Sequence, residues 1–234
     1  MSRLPRVVFV TGTDTDVGKT IVTAALAAAL ISRGRTVAVY KPAQAGTYDG
    51  GGDIDVVRRL AGVIDVHEGI RLPDPMAPVA AAARAGVALP AAADHVATIQ
   101  RLAETHDHTL VEGAGGVLVQ LDDAGRTLAD IAVATATATA IATTGPAAAA
   151  VVVCRSGLGT LNHTELTLEA LARRAITITG TIIGSWPREP ADIDISNRHY
   201  LSVHATPLIG AVPEHAATLA PADFRASAQR WIPA

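Results

Sequence analysis

The sequence predicts an α/β fold: a parallel central sheet with helices on both faces. Three observations predict it. Short runs of branched apolar residues alternate with helical stretches along the chain, the pattern of successive βαβ units. The strand-like runs are apolar throughout, without alternation, as expected of strands buried on both faces. The composition is 49% hydrophobic but only 3% aromatic, so the core is built from Val, Ile, Leu and Ala, which suits helices lying close against a sheet. At 234 residues, the chain fits one domain spanning 1–234.

Each element follows in order. Val7–Val10 (VVFV) is the first strand, followed by glycines and aspartates. A helix then runs from about Gly18 to Arg33 and is ended by Gly34. Thr36–Tyr40 reads as the second strand, stopped sharply by Lys41-Pro42. A helix covers Asp53–Ala61. From about Arg71 to Pro90 the chain is rich in Pro and Ala and supports no assignment. A helix over Ala92–Thr105 leads to the strand Thr109–Val111. The Ala/Thr/Val tract from about 129 to 154 reads as a helix and then a buried strand, Ala147–Cys154, with Gly145 and Pro146 breaking it. Thr160–Ala175 is the next helix, Ile178–Ile183 and Pro207–Val212 are further strands, and a weakly amphipathic helix lies near Ala222–Arg230. No repeat of structural period is present; ATATATAIATT, within the tract, is a compositional run.

Several function classes are disfavoured. The formal net charge is −3, so no basic field exists to hold a nucleic-acid backbone. Cys154 is the only cysteine, which rules out an intrachain disulfide or a thiolate metal cluster. VVFV is too short for a signal-peptide core. The 129–154 tract is a poor membrane span because Gly145 and Pro146 interrupt it and threonines stud it. A cytoplasmic protein is expected.

The loops carry the chemistry. TGTDTDVGKT, KPAQAG, EGAGG, RSGLGT, GSW and VPEH each follow a strand. In an open parallel sheet such loops emerge on one edge and line a crevice, so a single composite site is expected there. In Gly12–Thr20 (GTDTDVGKT), Gly-Lys-Thr enters a helix directly after a buried strand, the arrangement of a phosphate-binding loop. Backbone N–H groups of Asp16, Val17, Gly18, Lys19, Thr20 and Ile21, with the positive end of the following helix, are the expected cradle for an anion. Lys19 would reach the β- and γ-phosphates of ATP, and the Thr20 hydroxyl would ligate Mg2+. Five residues separate Gly12 from Gly18, against four in the general pattern.

Lys41, at a strand end and fixed by Pro42, is placed to meet a negative centre, or else is a solvated strand-end lysine. Glu112 ends a strand before Gly113, Ala114 and Gly115, where glycines let the backbone close around a ligand. A carboxylate beside a phosphate-loop threonine suits magnesium, a hard cation that binds few protein groups. Asp53, after three glycines, reads on its own as a helix cap.

GTDTDVGKT closely resembles the dethiobiotin synthetase signature, G-T-D-T-x-V-G-K-T, of the P-loop class. The partitioning and iron-protein ATPases of that class usually carry an additional lysine early in the loop, where this chain has Asp14. The resemblance extends over nearly the whole chain, with the motifs in the family's order. It implies that Lys41, in a segment like the family's K-P-x-x-[ST]-G, is catalytic with Lys19, and that Ala45 stands where the family's substrate-contacting Ser or Thr would be. Asp53 matches the magnesium-binding aspartate, with Asp55 the competing choice, so that Thr20, Asp53 and Glu112 form the metal set. Gly159, Thr160, Leu161 and Asn162 resemble the segment that holds the substrate carboxylate for the neighbouring subunit of a homodimer. Several relatives have a charged residue where this chain has Gly157. His163 is either a general base or a structural helix-start histidine. Gly184, Ser185, Pro213, Glu214 and His215 match adenine-side loops. The spacing between VEGAGG and GTLNH is longer than the family's, and the Ala/Thr tract accounts for it.

The implied reaction uses ATP and carbon dioxide to close a urea ring on 7,8-diaminononanoate, through a carbamate and a carbamic–phosphoric anhydride. Two other readings share the fold: an amide synthase of the cobyrinic-acid type, which generally carries an additional glutaminase domain, and a nucleotide switch or scaffold that makes no small molecule.

Overall fold

Strand β1 (Val7–Gly12) shows why the sheet is buried on both sides. Val8 and Val10 point into one apolar cluster, and Val7 and Phe9 into another on the opposite face. The computed structural model describes residues 4–48, 50–63, 65–139 and 147–233. Six further strands complete a parallel sheet: β2 (Val37–Ala45), β3 (Asp65–Leu72), β4 (His108–Gly116), β5 (Ala148–Cys154), β6 (Ile178–Trp186) and β7 (Leu208–Pro213). Their order is β3-β2-β4-β1-β5-β6-β7. Since β4 and β5 flank β1, the connections diverge at its carboxyl end, where an open sheet forms a crevice.

The first apolar cluster lies under α1 (Lys19–Ile31), α2 (Asp53–Ala61) and α8 (Pro221–Trp231). In α1, Ala24, Ala25, Ala27, Ala28 and Ala29 are all buried, so methyl groups set its distance from the sheet. The second cluster packs under α4 (Ala92–Thr105), α5 (Leu128–Thr139) and α6 (Thr160–Ala172). Helix α3 (Pro78–Ala85) covers a small cluster with Leu72, and α7 (Asp192–Val203) another with Cys154 and Ile183.

Several elements differ from the sequence reading. Strand β2 does not stop at Lys41-Pro42 but continues to Ala45. It loses β4 as a neighbour after Tyr40 and keeps only β3. Its last residues are therefore a strand edge, where a missing N–H is tolerated. Strand β4 likewise runs past Val111 to Gly116. Helix α6 ends three residues short of Ala175, which takes left-handed backbone (φ 54). The segment without an assignment holds the end of β3 and all of α3, and α7 is an additional helix. The predicted break at Gly145 and Pro146 lies outside the described residues.

Candidate active site

The loop between β1 and α1 is shaped by close backbone approach. Gly18 has φ 93, and a Cβ on it would stand 2.7 Å from the Gly184 carbonyl oxygen. A Cβ on Gly184 would stand 1.9 Å from the Val17 carbonyl oxygen. The loop therefore rests directly on β6, and neither position has room for a side chain. Asp16 also adopts left-handed backbone, with φ 56. From the β5 end, the Arg155 guanidinium donates to the Thr15 carbonyl oxygen at 3.0 Å and pairs with Asp14 at 3.3 Å.

Two lysines enter the site, and they are the only lysines in the sequence. Lys19, the first residue of α1, is buried and donates from Nζ to the Asp14 carbonyl oxygen at 2.8 Å. Burial, reinforced by the charge of Lys41, lowers its pKa. Lys41, on the β2 extension, is 4% exposed. Its ammonium meets Asp53 Oδ2 at 2.6 Å, Glu112 Oε1 at 2.8 Å and the Gly113 carbonyl oxygen at 3.1 Å. The Thr20 hydroxyl donates to the same Glu112 Oε1 at 2.9 Å. Burial opposes the Lys41 charge, but Glu112 and Asp53 outweigh it and hold its pKa above the ordinary value. Burial also opposes the Asp53 charge, and Lys41 outweighs it, keeping that carboxyl below its usual range.

The structure separates the two candidate aspartates. Asp53 opens α2 toward Lys41, and its N–H donates to Gln44 Oε1 at 2.8 Å. Asp55 instead accepts from the Gly52 N–H at 3.0 Å and pairs with Arg58 and Arg71, each at 3.3 Å. Thr20, Asp53 and Glu112 thus bring two carboxylates and a hydroxyl around one positive centre. This all-oxygen set fits a hard divalent cation.

Lys19, Thr20, Lys41 and Asp53 border a cleft of about 760 Å³, with Glu112 behind them. Lining it are Thr15, Asp16 and Gly18–Ile21, then Lys41 and Ala43–Gly46, Asp53, Pro75–Pro78, and Ala114, Gly115 and Val119. With its mixture of apolar walls and convergent charges, it has the character of a small-molecule site. It can hold a polyanion at the start of α1 and place a second molecule against Lys41 and Ala45.

The comparisons with known proteins agree with this geometry. A family model described as an AAA domain matches residues 6–222. The ATP-dependent dethiobiotin synthetase BioD of Rhodococcus jostii is 48% identical over 97% of this chain and 94% of its own. That of Mycobacterium avium is 48% identical over 94% and 92%, and that of Streptomyces coelicolor 47% over 97% and 91%. The chain belongs to the dethiobiotin synthetase family. Among solved structures, the Pyrococcus furiosus cell division ATPase MinD aligns with a TM-score of 0.54 at 20% identity, over 90% of this chain and 84% of that one. The septum site-determining protein MinD of Pyrococcus horikoshii, solved with Mg-ADP, gives 0.54 at 18%, over 90% and 82%. At such identities these two likenesses show the fold alone.

Not every residue predicted for the family's site borders this cleft. Val17, Glu112 and Gly113 lie just behind its wall. Gly184 supports the loop from below, whereas Ser185, Pro213 and His215 are exposed and do not line the cleft. Glu214 is occupied by the Arg188 N–H at 2.7 Å. Gly159, Thr160, Leu161 and Asn162 begin α6, outside the cleft of their own chain. Thr160 donates to the Arg155 carbonyl oxygen at 2.8 Å, while Asn162 and His163 are exposed. Sequence reasoning missed Gln44, Thr15, Arg155, Val119 and the Pro75–Pro78 segment. Gln44 stood inside a motif already singled out, two residues beyond Pro42. The proline segment had no periodicity to mark it. Among the described residues, no helix is long and apolar enough to cross a membrane.

Proposed function

We propose that this chain uses ATP and carbon dioxide to convert 7,8-diaminononanoate to dethiobiotin, with release of ADP and phosphate. The observation that carries this reading is the convergence of Lys19, Lys41, Thr20, Asp53 and Glu112 at one cleft, in a family whose named members are dethiobiotin synthetases. Phosphoryl transfer needs positioning and charge neutralisation more than a protein nucleophile. The Gly12–Thr20 backbone and Lys19 would hold the triphosphate. Lys41 would stabilise charge on a carbamate and on the transferring phosphoryl group. The second amine of the substrate, held close, then closes the ring. Magnesium bound by Thr20, Asp53 and Glu112 would neutralise phosphate charge. With Ala45 in place of a hydroxyl, one substrate hydrogen bond is lost, about 0.5–1.5 kcal/mol.

The whole chain, 1–234, is read as one functional unit, cytoplasmic and working as a homodimer. Exposed Leu158 and Leu166 at α6, and exposed Ile195 and Val203 on α7, support a partner covering these two helices. The start of α6, residues Gly159–Asn162, would then hold the substrate carboxylate for the neighbouring subunit, and Gly184–Ser185 with Pro213–His215 would border the adenine.

Incubation with the diamine, bicarbonate and Mg-ATP tests the reading. Phosphate should appear only when the diamine is present, and release indifferent to it would point to a nucleotide switch instead. Lys41→Ala should lower turnover by about 10²–10³ while ATP still binds; unchanged turnover removes Lys41 from the chemistry.

A further inference from the structure

We infer that Lys41 is a placeholder cation: its ammonium sits between Asp53 and Glu112 and must swing into the cleft when those oxygens take a divalent ion. The inference rests on the proposed reading that this site works with metal-bound ATP. The contacts carry it. Lys41 Nζ lies 2.6 Å from Asp53 Oδ2 and 2.8 Å from Glu112 Oε1, while Thr20 shares the latter atom at 2.9 Å. These are the oxygens that the proposed metal would use. Two cations cannot share that space, because their repulsion at such separations in a buried site is large.

The charge distribution agrees. The two carboxylates that Lys41 touches, Asp53 and Glu112, fully engage its charge, while Lys19 and Asp16 are the other charged groups lining the cleft. Once the carboxylates turn to a metal, the Lys41 charge is free to meet the substrate. Space is at hand: Lys41 lines the cleft, and the segment that follows it there includes the small residues Ala43, Ala45 and Gly46 beside Gln44. Residue choice agrees too. Every other basic Lys/Arg position in the chain is arginine, and lysine stands only at the two places where a compact, rotatable ammonium is needed. One consequence is ordering, since the Lys41 ammonium is released from the carboxylates toward a substrate only after metal and nucleotide are in place.

Selective 13Cε-lysine labelling of the full wild-type chain gives two resonances, which Lys41→Arg would assign. A non-hydrolysable ATP analogue alone should shift chiefly Lys19. Adding Mg2+ should then move the Lys41 resonance with saturable dependence on the metal. A Lys41 resonance unmoved by Mg2+ overturns the inference, even if diamine-dependent phosphate release stands. A second measurement uses Mn2+ alone, titrated by electron paramagnetic resonance. Lys41→Met should bind it about tenfold more tightly than wild type, because a competing cation is gone; equal or weaker binding counts against the placeholder. If neither chain binds Mn2+, with or without the analogue, the inference falls with the metal reading.

Discussion

At the scale of single residues, the site depends as much on missing atoms as on charged ones. Gly184→Ala places a methyl group against the Val17 carbonyl oxygen, so either β6 or the phosphate loop must move. A loss of about 1–3 kcal/mol in urea unfolding is expected, together with weaker nucleotide binding by calorimetry. His95 on α4 is fully buried and shares a 2.6 Å hydrogen bond with Tyr40. Burial lowers its pKa below the ordinary 6.5. The unfolded chain therefore takes the proton first, so this contribution to stability is complete above that value and is lost as pH falls below it. Between about pH 7 and pH 5, His95→Gln should show a shallower fall in stability than wild type by denaturant titration. Burial likewise pushes the Cys154 thiol up to about 11, so a disulfide reagent at mildly alkaline pH should react only with unfolded chains. Lys19, Thr20, Lys41 and Glu112 were legible because each sits at a strand end or in a glycine motif. Gly184 was legible only as a family position. Its steric role depends on a loop more than 160 residues earlier in the chain, and no local pattern carries that.

The elements were legible where burial is two-sided and obscure where it is not. Strands β1 and β5 are buried along their whole length and open on apolar runs that could be read directly. Strand β3 (DVHEGIRL) lies at the sheet edge, with mostly half-buried side chains, and its polar sequence resembles a loop. The β2 extension was hidden by Pro42, whose tolerance depends on where β4 departs. That extension carries Lys41 and Gln44 to Asp53 at the start of α2. Gln44→Ala removes the acceptor for the Asp53 N–H and should cost about 0.5–1.5 kcal/mol in stability, with a further weakening of nucleotide binding in the presence of magnesium. A change in stability without any change in that binding would make the contact purely structural.

For the whole molecule, the sheet order brings the ends of β1, β2 and β4 to a single cleft, and this arrangement followed from the alternation of strands and helices. Of the six loops expected on one rim, the first three line the cleft. Arg155, just after β5, and Gly184, within β6, reinforce it. The predicted contacts at the start of α6 lie outside the cleft of their own chain; in the proposed dimer a second copy would bring them to it, and no local pattern in one sequence can reveal what a neighbour supplies. Leu158, 90% exposed at the start of that segment, is the place to probe it. Leu158→Asp should shift the sedimentation of a dimer toward monomer and abolish diamine-dependent turnover, leaving nucleotide binding intact. The confinement of lysine to two buried positions has a practical side. Coupling resins, cross-linkers and dyes that seek ε-amines have nothing to grip on the outside of this molecule. If they attach through a lysine at all, they take hold of it by its working parts, and immobilised or tagged preparations would be silent for that reason alone.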